Sequence, residues 1–149
     1  MKRFKLLLLS LLLLLSSCAE DNTMTVIFDV DTGDTVTVKL DMSDGYTMDY
    51  GETTYFMLDG ETVMEFIFIG IEEYNSYLDA IYDVEYFEVV SEFEKDGNQC
   101  ILFYADSGDF WEYDYILRLG NTDTAMLFGS LYPLEVAEDC FSHITISVE

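Results

Sequence analysis

The side chains able to do chemistry in this chain are thirty Asp and Glu residues, one histidine and three cysteines. Carboxylates at this density can be paired almost anywhere. A glycosidase-type acid and base are defined by the separation of their carboxyl groups in the fold, not by sequence spacing. The stretch Phe110-Trp-Glu-Tyr-Asp-Tyr115 interleaves aromatics with acids, as sugar- and cation-binding surfaces do. It equally fits a half-exposed strand, with Trp111, Tyr113, Tyr115, Leu117 and Leu119 on a core face and Glu112, Asp114 and Arg118 turned to solvent. Asp29-Val-Asp-Thr-Gly-Asp34 offers Asp29, Asp31 and Asp34 as candidate Ca2+ ligands. An EF-hand loop needs Gly at its sixth position and a bidentate Glu at its twelfth; here Gly33 falls fifth and Leu40 twelfth, and a hairpin turn fits better. His143 alternates with Ile144, Ile146 and Val148 and is expected to face solvent with Thr145 and Ser147. No nucleophile elbow, phosphate loop, dinucleotide fingerprint or zinc-protease helix is present. No catalytic residue is therefore assigned, and no cofactor is implied beyond Ca2+.

The third cysteine, Cys18, belongs to a different pattern. Lys2, Arg3 and Lys5 precede a leucine-rich run, Leu6 to Leu15, which ends in Leu15-Ser16-Ser17-Cys18. That is a charged n-region, an apolar h-region and small residues at a cleavage point. The run would be about 15 Å long as a helix, against the roughly 20 residues a bilayer core requires. The ending resembles the lipobox of bacterial lipoproteins. The resemblance implies a signal peptide over 1–17, cleavage after Ser17 and lipidation of Cys18, with a tether over 18–23 and a single acidic globular domain over 24–149. It places the protein in the cell envelope, anchored outside the cytoplasm by acyl chains such as palmitate. The acids directly after Cys18, Glu20 and Asp21, resemble the export tag of Bacteroidetes-type surface lipoproteins, which implies the outer membrane or cell surface.

Charge narrows the partners. The formal charge is −24, and without Lys2, Arg3 and Lys5 it becomes −27, since only Lys39, Lys95 and Arg118 stand against thirty acids. Three bases cannot assemble a phosphate-binding face, which excludes nucleic acid. Anionic lipid would also repel this body. Such charge serves solubility and self-repulsion, or it steers a cationic partner: a basic envelope or secreted protein, a peptide or metal ions. Cys100 and Cys140 have no neighbouring Cys or His to make a metal motif. An exported compartment permits a disulfide between them, closing a loop of about 40 residues worth about 3–4 kcal/mol. Two buried free thiols fit their apolar surroundings equally well.

The elements that must position these groups are mostly strands. Asp with Gly or Asn punctuates runs rich in Val, Ile, Phe, Tyr and Thr, predicting hairpins. Strands are expected over 24–30, 35–40, 54–58, 62–69, 84–94, 98–105, 110–119, 123–130 and 143–148. Ile71, Tyr74, Leu78 and Ile81 recur at helical spacing, and Pro133 opens a second apolar face of Leu134, Ala137 and Phe141, so helices are expected over 71–81 and 133–141. Strands 62–69, 98–105 and 123–130 are apolar on both faces and need cover on both sides. The fold class is α+β, a mostly antiparallel sheet with two short helices, α/β/α-sandwich-like, covered by helices or by a helix layer and an N-terminal β-hairpin. This order of elements, with the closing Ala137-Glu-Asp-Cys-Phe-Ser-His-Ile144 and its final strand, resembles the Mog1/PsbP-like fold over residues 50–149. The resemblance implies a binding or accessory role and transfers no catalytic residue; the acidity departs from that fold.

The expected function is a non-enzymatic, lipid-anchored extracytoplasmic binding or accessory domain that engages a basic protein or cationic ligand. The alternatives are a glycan-directed hydrolase using paired carboxylates and a Ca2+-dependent structural or adhesion domain.

Overall fold

The computed structural model describes residues 22–51 and 53–149. The leader, Cys18 and the acids that follow it lie outside the described residues. In chain order the elements are β1 (Thr23–Asp29), β2 (Thr35–Asp41), β3 (Tyr46–Tyr50), β4 (Thr54–Leu58), β5 (Glu61–Gly70), α1 (Ile71–Asp83), β6 (Phe87–Lys95), β7 (Asn98–Asp106), β8 (Trp111–Arg118), β9 (Thr124–Ser130), α2 (Leu134–Ser142) and β10 (Ile144–Val148). They form an α+β structure of two antiparallel sheets. One has three strands in the order β1-β2-β10, and the other has seven in the order β3-β4-β5-β9-β8-β7-β6. Pairing begins at Thr23, inside the expected tether, and the Asn22 carbonyl already accepts the Met42 N–H at 2.7 Å.

The seven-stranded sheet is apolar on both faces, as strands β5, β7 and β9 require. One face, with Phe56, Phe66, Leu102, Tyr115, Leu117 and Phe128, packs against Val36, Val38, Leu40, Ile144 and Ile146 of the small sheet and against Ala137, Cys140 and Phe141 of α2. The opposite face, with Ile69, Phe103, Ile116 and Ala125, packs against Tyr74 and Ile81 of α1. An aromatic seam runs through the first face: Phe66 lies 5.2 Å from Phe128, Phe128 lies 5.2 Å from Phe141, and Phe141 stacks on Tyr115 at 3.9 Å. Such ring pairs add to burial alone.

Turn chemistry locks the layers together. Asp96 and Gly97 both take positive φ in the β6–β7 hairpin, as a two-residue turn demands. There the Asp96 carboxylate accepts the Ile146 N–H of β10 at 2.9 Å, joining the small sheet to the large one. At the other end of the hairpin β1–β2, Asp34 accepts the Thr124 hydroxyl at 2.6 Å.

Three sequence expectations are corrected. β3 has no counterpart in the sequence reading: it is a five-residue edge strand that buries only Tyr46 and Met48. The strand expected from residue 84 begins at Phe87, because the Val84 N–H bonds the Ala80 carbonyl at 3.0 Å and closes α1 instead. Pro133 caps α2 from outside, its carbonyl accepting the Val136 and Ala137 N–H groups. Cys100 and Cys140 are free thiols, and burial pushes both up to about 12.

Phe128, at the crossing of the aromatic seam and fully buried, should be the costliest truncation. Chemical denaturation of Phe128→Ala is expected to show a loss of about 3–5 kcal/mol, whereas Ile27→Ala, 65% exposed, should stay within about 0.5 kcal/mol.

Candidate cation-binding pocket

The acids that gather in one place come from the middle of the large sheet. On β8, Glu112, Asp114 and Ile116 share the face that looks toward α1. The register pairs Asp114 with Gly129 across β8–β9 and Gly129 with Glu65 across β9–β5. Glu65, Gly129 and Asp114 therefore form one row across three strands. Gly129 has no side chain to fill the middle of that row. A Cβ placed on it would sit 3.1 Å from Asp114 Oδ1 and 3.4 Å from Glu112 Oε2. The space so left is a cavity of about 240 Å3, walled by Tyr77 of α1, Phe87 of β6, Phe103 of β7 and the apolar Ile67 and Leu127. A smaller depression of about 180 Å3 adjoins it, sharing Glu65, Glu112 and Gly129 and reaching toward Phe110 and Tyr132.

The electrostatics of this cavity are unbalanced. Asp114 is only 6% exposed, and among the described residues its carboxyl has no hydrogen-bond partner. It lines the cavity, and the cavity is where its oxygens open. Burial, and then the neighbouring Glu112, push its pKa up to about 8. Glu112 is raised as well, by burial and then by Glu65. Tyr77 is raised by burial and by the surrounding Glu73, Asp114 and Glu112. Among the described residues, no base answers them. Arg118 lies on the same face of β8, but its Nε donates to the Thr122 carbonyl at 3.0 Å. Lys95 lies on the opposite face, 5.3 Å from the Phe141 ring centroid. A buried carboxylate without a counter-charge or donor is costly, so Asp114 holds a proton at neutral pH. A strongly perturbed carboxyl in a cleft makes a candidate functional site.

The sequence reading placed Asp114 on a solvent face, and the structure overturns this: α1 covers that face, and Asp114, Tyr115, Ile116 and Leu117 are all buried. Ile116, apolar between Asp114 and Arg118, is the sequence sign of that cover. Gly129 gave no sign, because its role depends on cross-strand register.

The other candidates are dispersed. Asp29 accepts the Thr35 hydroxyl at 3.3 Å, and Asp34 is taken by Thr124. Asp29 and Asp31 are exposed at the edge of a wide cleft of about 590 Å3 beside Phe28, Phe66 and Phe68. Among the described residues, no group of three or more His, Cys, Asp or Glu side chains is placed to hold a metal ion. His143 is not solvated as expected. It closes α2, lies 4.6 Å from the Tyr46 ring, and bonds the Asp139 carbonyl at 2.8 Å and the Asp44 carboxylate at 3.0 Å. Burial opposes its charge, but the Asp139 carbonyl and Asp44 outweigh that and raise its pKa. Among the described residues, no helix is long and apolar enough to cross a membrane.

Comparison with protein-family models, with curated proteins and with solved structures gave no match.

Two pH-dependent outcomes follow. Asp114 keeps its proton to about pH 8 when folded, against an ordinary value of 3.8, so folding takes up a proton between these limits and stability falls as pH rises through them. Asp114→Asn should therefore stabilise the fold at pH 8 by at least about 1.4 kcal/mol, the equivalent of one tenfold change in ionisation, and do little at pH 4. His143 carries the opposite charge type: its raised value makes its contribution complete below the ordinary 6.5 and lost as pH rises through the folded value. His143→Gln should cost more stability at about pH 5.5 than at about pH 8.5 in thermal melts.

Proposed function

We propose that this chain is a non-enzymatic, lipid-anchored extracytoplasmic domain that binds a cationic partner, such as a basic envelope or secreted protein. The observation that carries the reading is the cavity over Gly129, where Glu65, Glu112 and a buried, unpartnered Asp114 meet without a base. A cation supplies the charge that the fold withholds. The surrounding −27 body supports the same conclusion, because a field of one sign concentrates and steers counter-charged partners. The Leu15-Ser16-Ser17-Cys18 pattern supports the anchor, and the order of elements is in keeping with the accessory role implied by the Mog1/PsbP-like resemblance.

A second reading draws on the same carboxyls. Asp114, holding its proton, would serve as general acid and Glu112 as its base in a glycan-directed hydrolase. The charge favours the first reading: a body with thirty acids against three bases steers a cation and does nothing for a neutral sugar chain.

The test joins anchor and charge. The native chain should fractionate with membranes and incorporate labelled palmitate, while Cys18→Ser should do neither. Immobilised through its anchor, it should retain a basic envelope protein at low salt and release most of it at high salt, where charges farther apart than about 3 Å are screened. Retention that ignores salt, or no basic protein at either salt, would contradict the reading.

A further inference from the structure

We propose that the cavity over Gly129 is a receptor for a primary ammonium group on an aliphatic stem, such as a lysine side chain or a linear alkylamine. The inference rests on the cation-binding reading above and names the cation.

The geometry selects the head group. Asp114 Oδ1 and Glu112 Oε2 converge on one point just above the Gly129 backbone, 3.1 and 3.4 Å from where a Cβ would stand. A single compact nitrogen resting on the bare Gly129 backbone, at van der Waals distance outside that point, sits between the two oxygens, with Glu65 along the same row. An ammonium has three donors on one atom. A guanidinium spreads its donors over a planar fork suited to the two oxygens of one carboxylate, and the two oxygens here belong to different side chains. A hydrated divalent ion is a poor match, because Ca2+ takes six to eight oxygens and Mg2+ keeps several waters, whereas this cavity is walled largely by carbon.

Those walls select the stem. Tyr77, Phe87 and Phe103 surround the space with aromatic faces and edges. Methylene groups pack on such surfaces while the charged head reaches the polar end, and ring faces attract the cation itself.

Binding also moves a proton. The titratable groups about Asp114 are Glu112 on its own strand, Glu65 on β5 and Tyr77 on α1, while Gly129 and Leu127 of β9, Phe103 of β7 and Phe87 of β6 bring no charge. Burial, and then Glu112, hold the proton on Asp114. An arriving ammonium reverses that balance. The neutral acid becomes a carboxylate paired with the ammonium, and the proton passes to solvent.

The test titrates the anchored chain in non-ionic detergent with n-pentylamine, 1-pentanol and butylguanidine. It follows the Asp114 amide shift by NMR and proton release by calorimetry in buffers of different ionisation enthalpy. Pentylamine is expected to bind with proton release near pH 7, pentanol to be silent, and butylguanidine to bind at least about fivefold more weakly, as a fork on a single-point site should. Gly129→Ala keeps every charge but sets a methyl beneath the receiving point, 3.1 Å from Asp114 Oδ1 and 3.4 Å from Glu112 Oε2. It should weaken pentylamine about tenfold or more while the chain still unfolds in one cooperative melt. Asp114→Asn should weaken pentylamine likewise, raise the melting temperature and abolish proton release, while Asp123→Asn, an exposed acid elsewhere, should change nothing. Equal binding by Gly129→Ala overturns the pocket and leaves a diffuse acidic surface. Butylguanidine binding more tightly overturns the ammonium. Salt-released retention of a basic protein without pentylamine binding overturns this inference alone; loss of both overturns the broader reading too.

Discussion

A sheet with apolar side chains on both faces has to be covered twice, and the rest of this molecule follows from that constraint. Seven strands in one layer present Phe66, Leu102 and Phe128 to one side and Ile69, Phe103 and Ile116 to the other. Two short helices cannot cover both sides of so wide a layer. The hairpin β1–β2 is therefore recruited with β10 as a second small sheet, and α2 fills the space beside it. Among the described residues, that leaves α1 alone on the opposite face. A helix of 13 residues meets the strands near Ile116 and Ala125, and at its flank it leaves the cavity into which Asp114 opens.

The acids play two distinct parts in this arrangement. Asp96, Asp34 and Asp44 each accept a hydrogen bond from a distant segment, from Ile146, Thr124 and His143 respectively. They serve as clasps between segments far apart in the chain. Asp114 has no such bond. It sits where the core pattern wants an apolar residue and where burial works against its charge. Replacing it with a neutral side chain would improve the fold at neutral pH, and a residue retained against stability in this way fits a binding role.

Much of the architecture was legible because local signals agreed with one another. Asp59-Gly60 and Asp96-Gly97 announced hairpin turns, and both pairs adopt the positive φ such turns need. The spacing of Ile71, Tyr74, Leu78 and Ile81 gave α1, and doubly apolar strands called for two covering layers. What stayed hidden depends on non-local packing. Alternation assigned Asp114 to solvent because acids usually lie there, but which face a helix covers is decided by the whole sheet. His143 looked solvated on strand parity alone, yet the helix that ends at Ser142 and the turn at Asp44 enclose it. The cavity needed the register Glu65–Gly129–Asp114, which joins residues that no sequence pattern links.

The most direct measurement is a 13C NMR titration of the Asp114 side-chain carboxyl, with and without n-pentylamine. A midpoint near 8 in the free chain, far above the ordinary 3.8, that moves down when the amine is present is expected of a buried, unpartnered acid awaiting a cation. A midpoint near 3.8 that the amine leaves unmoved would contradict it.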